Sequence, residues 1–182
     1  MTSAPIAQQR LLIDLQDLDS HLARLRHERK HLPVLTRIEA VIERLKANKR
    51  AAIQAEAALD EAKKQATRSE DEVGQVARRA EVLRERLHSG TSAARDLSAI
   101  QGEIDQLGQR QSALEEAQIV AMEALDSARQ EAERLSREEA EIRTAGRDLT
   151  AKRDAEFARL DEEIESLENQ RADLAGTIEA PL

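Results

Sequence analysis

The chain has 182 residues, 35% charged and 40% hydrophobic, with a formal net charge of −8, one phenylalanine and no tryptophan, tyrosine or cysteine. Aromatic side chains carry much of the burial in an ordinary globular core, so a chain nearly without them is not expected to build one. The lack of cysteine excludes disulfides and thiolate metal sites from these residues, and the acidic balance argues against a surface given over to polyanions.

The apolar residues are mostly leucine and alanine, set among glutamate, arginine, glutamine and lysine, which is the composition of long helices. In the first part they recur as Leu11, Leu15, Leu18, Leu22 and Leu25, then Leu32 across Arg29. Alternating steps of three and four give a period near 3.5, the signature of helices that supercoil about a partner. Pro33 has no backbone donor and disfavours helix at Leu32. The expected first element is therefore a short helix over residues 6–31, followed by a break or kink.

Beyond Pro33 the stripe reads Ile38, Ile42, Leu45, Lys49 and Ala52, then Leu59, Ala62, Ala66, Ser69, Val73, Val76, Ala80, Leu83 and Leu87. This predicts a long helix over 34–88, with one slip near Leu59 and Ala62 where two steps of three follow each other. The run His88-Ser89-Gly90-Thr91 interrupts the pattern and predicts a turn over 89–92. A second long helix is expected over 93–178, with Thr91 or Ser92 as its N-cap and Asp96 in its first turn. Its stripe includes Leu97, Ile100, Ile104, Leu107, Gln111, Leu114, Gln118, Leu125, Leu135, Ile142 and Leu149, then Phe157, Leu160, Ile164, Leu167, Arg171 and Leu174. One central break folds the second half back along the first. The expected fold is all-α: an elongated, antiparallel two-helix coiled-coil hairpin. Folding about Gly90 sets Pro33 level with Gly146, read as a hinge, and Gly74 level with Gly108, read as a close helix approach.

The residues that carry chemistry elsewhere are sparse here. His27 and His31 are four apart on one helical face, but they lack a third ligand and sit among Arg26, Arg29 and Lys30, so they read as surface histidines. Ser89, Thr91 and Ser92 beside His88 read as turn and capping residues, because a nucleophile needs a base within a concave pocket. No catalytic residue, metal ligand or cofactor is assigned, and the chain is not expected to be an enzyme. A basic band is the sharper candidate. Arg24, Arg26, Arg29 and Lys30 cluster in the first helix, with Lys152 and Arg153 placed opposite by the same folding, as a polyanion-binding surface. Residues 161–168, opposite Asp14, Asp17 and Asp19, would make the free end acidic. The tip, with His88, Thr91, Ser92, Arg95 and Asp96, is a candidate protein-binding surface.

The opening residues 8–19, the Leu32-Pro33 break and the tip segment Ser92-Ala93-Ala94-Arg95-Asp96-Leu97 resemble the bacterial C4-type zinc-ribbon protein family. Arg95 stands where lysine is usual in that family. The resemblance implies a helical hairpin followed by a four-cysteine zinc ribbon, with zinc as the cofactor of the full-length protein. The chain holds no cysteine through Leu182, so no zinc ligand transfers to any residue here. It further implies an interaction arm, linked in some members to escorting transcription or secretion components. The functional expectation is a non-enzymatic, chaperone-like adaptor or scaffold of the bacterial cytoplasm that binds protein partners, with homodimerisation open. The alternative is an RNA- or DNA-associated, transcription-related protein acting with the zinc ribbon. No apolar run approaches the ~20 residues of a membrane span, and residues 1–5 lack the features of a signal peptide.

Overall fold

A computed structural model of the chain describes residues 6–90 and 93–178. Three helices make up nearly all of it: α1 (Ile6–Lys30), α2 (Pro33–His88) and α3 (Ala94–Thr177). The all-α antiparallel hairpin expected from the apolar period is present, and the described residues contain no strand.

The break between α1 and α2 is only two residues long, and it is anchored. Pro33 is the first residue of α2, where a missing N–H costs nothing and a fixed φ suits the helix. The Leu32 carbonyl accepts from the Leu35 N–H at 3.0 Å, while the His31 N–H is shared between the carbonyls of His27 (3.1 Å) and Glu28 (3.0 Å). Leu32 is buried with Leu25 and Leu160, and Val34, Leu35, Phe157, Ile164 and Leu167 pack around them. The chain bends at a point held in the core.

The tip is closed by backbone geometry. Gly90 adopts φ +65°, the left-handed conformation that ends helices and that a Cβ disfavours. The His88 Nδ1 meets the Arg84 carbonyl at 2.7 Å at the end of α2. The Ala93 carbonyl accepts from the N–H groups of Asp96 (2.9 Å) and Leu97 (3.0 Å), which makes Ala93 the residue that opens α3. Thr91 and Ser92, expected as caps, lie outside the described residues.

The molecule divides into two compact units, one of Met1–Lys46 with Ala140–Leu182 and one of Ala47–Glu139. In the second, Asn48, Ala55, Ser69, Val76, Ala80 and Leu83 of α2 are buried, as are Ile100, Ala121 and Leu135 of α3. In the first, Leu22, Ile142 and Leu160 are the most completely enclosed side chains.

The apolar stripe of α2 corrects the sequence reading by one residue. Val41 and Asn48 turn inward, whereas Ile42 and Lys49 are exposed. With Ile38, Val41, Leu45, Asn48, Ala52, Ala55, Leu59 and Ala62 facing in, steps of three and four alternate without fault. The slip placed near Leu59 and Ala62 disappears. A lysine at that depth would have to shed its hydration without a partner, while a neutral amide costs far less. The irregular step lies in α3 instead, where Leu149, half-buried Arg153 and Phe157 follow at successive fours. Such an insertion locally unwinds a coiled coil.

Candidate functional surfaces

The basic band takes a different form from the one expected. Arg26 Nη2 lies 2.5 Å from Glu168 Oε1, and Arg29 holds Asp161 through two bonds of 2.6 and 3.0 Å. The Arg29 guanidinium also stacks over the Phe157 ring at 4.2 Å. Arg153 binds its neighbour Asp154 at 2.7 Å. Arg24 borders a shallow indentation together with Asp14, Asp17 and His21. Arg24, Lys30 and Lys152 make no ion pair among the described residues. The acidic residues assigned to a separate free end are thus the ones that face the band. The bases and acids of this unit pair across the helices rather than forming two surfaces of opposite sign.

The same clamping continues along the unit. Arg171 Nε reaches Asp19 Oδ1 at 2.5 Å, and Arg159 reaches Glu28 at 3.3 Å as well as Glu156 and Glu163 on its own helix. The Arg171 guanidinium holds the Asp19 carboxyl below its ordinary pKa. The hydrogen bond to Asp161 raises Arg29 in turn. These pairs are exposed, so each contributes little stability by itself but fixes which residues stand opposite. In the second unit Arg79 clamps Glu103 in the same manner.

The glycine pairs do not meet as expected. A Cβ on Gly146 would lie 3.4 Å from Val41 Cγ1, so Gly146 faces Val41, eight positions past Pro33, and is no part of the break. A Cβ on Gly108 would touch nothing within 4 Å, and one on Gly74 would meet only the guanidinium of Arg78 on its own helix. No close approach joins this pair. Two causes move the level of contact later in α3. α2 ends at His88 and α3 begins at Ala94, so the midpoint between the helices lies past Gly90, and side chains lean toward the N-terminus of their own helix.

Around Gly146 the absent side chain leaves an open groove of about 700 Å³. Ile38, Val41, Ile42 and Leu45 form one wall, Ile142, Thr150 and Ala151 the other, and Arg143, Arg147, Arg153 and Asp154 the rim. Sequence reading missed it, because it assigned Gly146 to the break and Ile42 to the core.

Two further features concern specific groups. Asn48 is only 6% exposed, and its Nδ2 donates to the Leu135 carbonyl at 3.2 Å while its Oδ1 has no partner. His27 and His31 stack with ring centroids 4.1 Å apart, and His31 Nδ1 meets the His27 carbonyl at 2.8 Å. At the tip, His88, Arg95 and Asp96 are all exposed, with Asp96 in the first turn of α3. Among the described residues no three His, Asp or Glu side chains converge to hold a metal, and the chain has no cysteine. The residues present therefore do not fit the zinc site that the zinc-ribbon resemblance implies. No helix among the described residues is long and apolar enough to cross a membrane.

Comparison with known proteins agrees with this geometry. Two sequences of one length of match, both from Mycobacterium tuberculosis and both called uncharacterized proteins (MT2288 of strain CDC 1551 and Rv2229c of strain H37Rv), are 33% identical to the chain, covering 93% of it and 77% of their own length. A solved structure from Mycobacterium smegmatis superposes with a TM-score of 0.78 at 26% identity, over 98% of this chain and 74% of that one. The HP0958 protein of Helicobacter pylori shares the fold at a TM-score of 0.59 and 16% identity, over 96% of this chain and 72% of that one. The family model of the CT398-like coiled coil hairpin domain matches residues 15–182, and the chain belongs to that family.

Proposed function

We propose that the chain is a non-enzymatic helical adaptor of the bacterial cytoplasm, a chaperone-like scaffold that binds other proteins along its exposed helix faces and tip. One observation carries this reading. Large apolar side chains that the hairpin does not use for its own core stand in the open, among them Leu12 and Ile13 on α1 and Ile119, Val120 and Met122 on α3. Clustered exposed aliphatics mark interaction surfaces, whereas isolated ones are ordinary. Catalysis has no comparable support, since Thr150, the hydroxyl lining the groove, donates to the Gly146 carbonyl at 2.8 Å.

The test is capture from a bacterial lysate with the full chain, in parallel with two variants. One carries Leu12→Ser and Ile13→Ser, the other His88→Ala, Arg95→Ala and Asp96→Ala at the tip. A defined protein retained by the parent and lost with either variant supports the adaptor. Identical capture profiles for all three chains would sink it.

The nucleic-acid reading is the weaker one, because Arg26, Arg29 and Arg153 already hold carboxylates. It rests on Arg24, Lys30 and Lys152. Filter binding of RNA and DNA over a salt series, with those three reversed to glutamate, decides it: backbone-directed binding would show a steep salt slope that flattens in the variant.

A further inference from the structure

The Gly146 groove in the first unit is apolar along its floor and mainly basic at its rim. The second unit carries the converse. Residues 111–128 contain four carboxylates, Glu115, Glu116, Glu123 and Asp126, and no lysine or arginine. Within this segment Glu115, Ile119, Met122 and Asp126 follow at steps of four, three and four, which places them in one row on a single flank of α3. All four are exposed, Ile119 at 58% and Met122 at 57%. The row is thus two aliphatic side chains bracketed by two acids.

Its dimensions match the groove. Glu115 and Asp126 are separated by about 16 Å along the helix, and Arg143 and Arg153 by about 15 Å, at 1.5 Å per residue. Ile119 and Met122 fall between the acids, as Gly146 and Thr150 fall between the arginines. A row with its acids at the ends suits a groove with its bases at the ends.

We propose that the groove is a self-association site, in which the Glu115–Ile119–Met122–Asp126 row of a second copy of this chain seats over Gly146. Each copy carries one row and one groove, so the two surfaces complement each other between copies. Gly146 lets the incoming side chains reach the floor, and the arginines meet the flanking carboxylates, Arg153 exchanging its solvent-exposed neighbour Asp154, a pair worth little in water, for one brought by the second copy. The inference goes beyond the adaptor reading and shares with it only Ile119 and Met122, so its failure leaves Leu12, Ile13 and the tip to carry that reading.

The experiment is sedimentation equilibrium on the full chain, joined to cysteine cross-linking, for which the natural absence of cysteine is convenient. The parent chain is expected to dimerise in the micromolar range. Glu115→Lys with Asp126→Lys in one chain, or Arg143→Glu with Arg153→Glu in another, should each weaken dimerisation about tenfold or more while leaving helix content unchanged. An equimolar mixture of these two variants should recover the dimer, because in the mixed pair each reversed row meets the groove of matching sign. Met122→Cys mixed with Ala151→Cys should form a disulfide-linked pair, and Ile53→Cys mixed with Ala151→Cys should not. A chain that stays monomeric through the high micromolar range overturns the proposal and leaves the groove to a helix of another protein. So does a dimer that is indifferent to the charge reversals.

Discussion

Asn48 is the residue most at odds with its surroundings. It occupies an inward position of a coiled-coil stripe, satisfies half of its amide and leaves the other half without a partner. A buried asparagine in such a stripe selects register and partner number at a cost in stability. Asn48→Leu is therefore expected to raise the melting temperature, by an amount equivalent to about 1–2 kcal/mol for relieving the orphaned acceptor. The same variant should show additional oligomeric species by size-exclusion chromatography, since the register is then less well specified. Leu160 provides the opposite case. Fully enclosed against Leu25 and Leu32, its truncation to alanine should cost roughly 2–5 kcal/mol in chemical denaturation. Gly146→Ala tests the groove's geometry. The added methyl meets Val41 at an ordinary contact distance, so the helix-propensity gain of up to about 1 kcal/mol should prevail.

At the level of the helices, much was legible in the sequence and some was not. The period of the leucines marked an all-α hairpin, and Pro33 marked the bend, because both signals are local. The phase of α2 after that break was not legible. Ile42 and Val41 are equally apolar, and the choice between Lys49 and Asn48 depends on which group the opposite helix can desolvate. The pairing of the basic band with residues 161–168 was equally hidden, since it follows from an offset set by the turn. Two predictions belong here. The Asp19 carboxyl is held below its ordinary pKa by Arg171, so its contribution to stability is complete above the unfolded carboxylate range and falls away as pH drops through the lower folded value. Melting curves recorded as pH falls below about 4 should therefore show a loss that is smaller in Asp19→Asn than in the parent. Gly90→Ala, which forces a Cβ into a left-handed conformation, should cost about 1 kcal/mol without altering the helices themselves.

For the molecule as a whole, the family assignment and the two compact units describe a protein whose inward residues serve helix pairing and whose outward residues remain available. The turn at Gly90 also sets an order in time. The Arg79–Glu103 clamp joins residues 24 apart in sequence, the Asn48 bond to Leu135 joins residues 87 apart, and the Arg26–Glu168 clamp joins residues 142 apart. Closing a short loop costs less entropy than closing a long one, and each contact made near the turn shortens the loop that the next must close. Folding should thus begin at Gly90 and travel outward like a zip. In stopped-flow refolding, Gly90→Ala should slow the folding rate, whereas Arg26→Ala should chiefly speed unfolding. The residue that shapes the tip then acts as the clock for everything behind it.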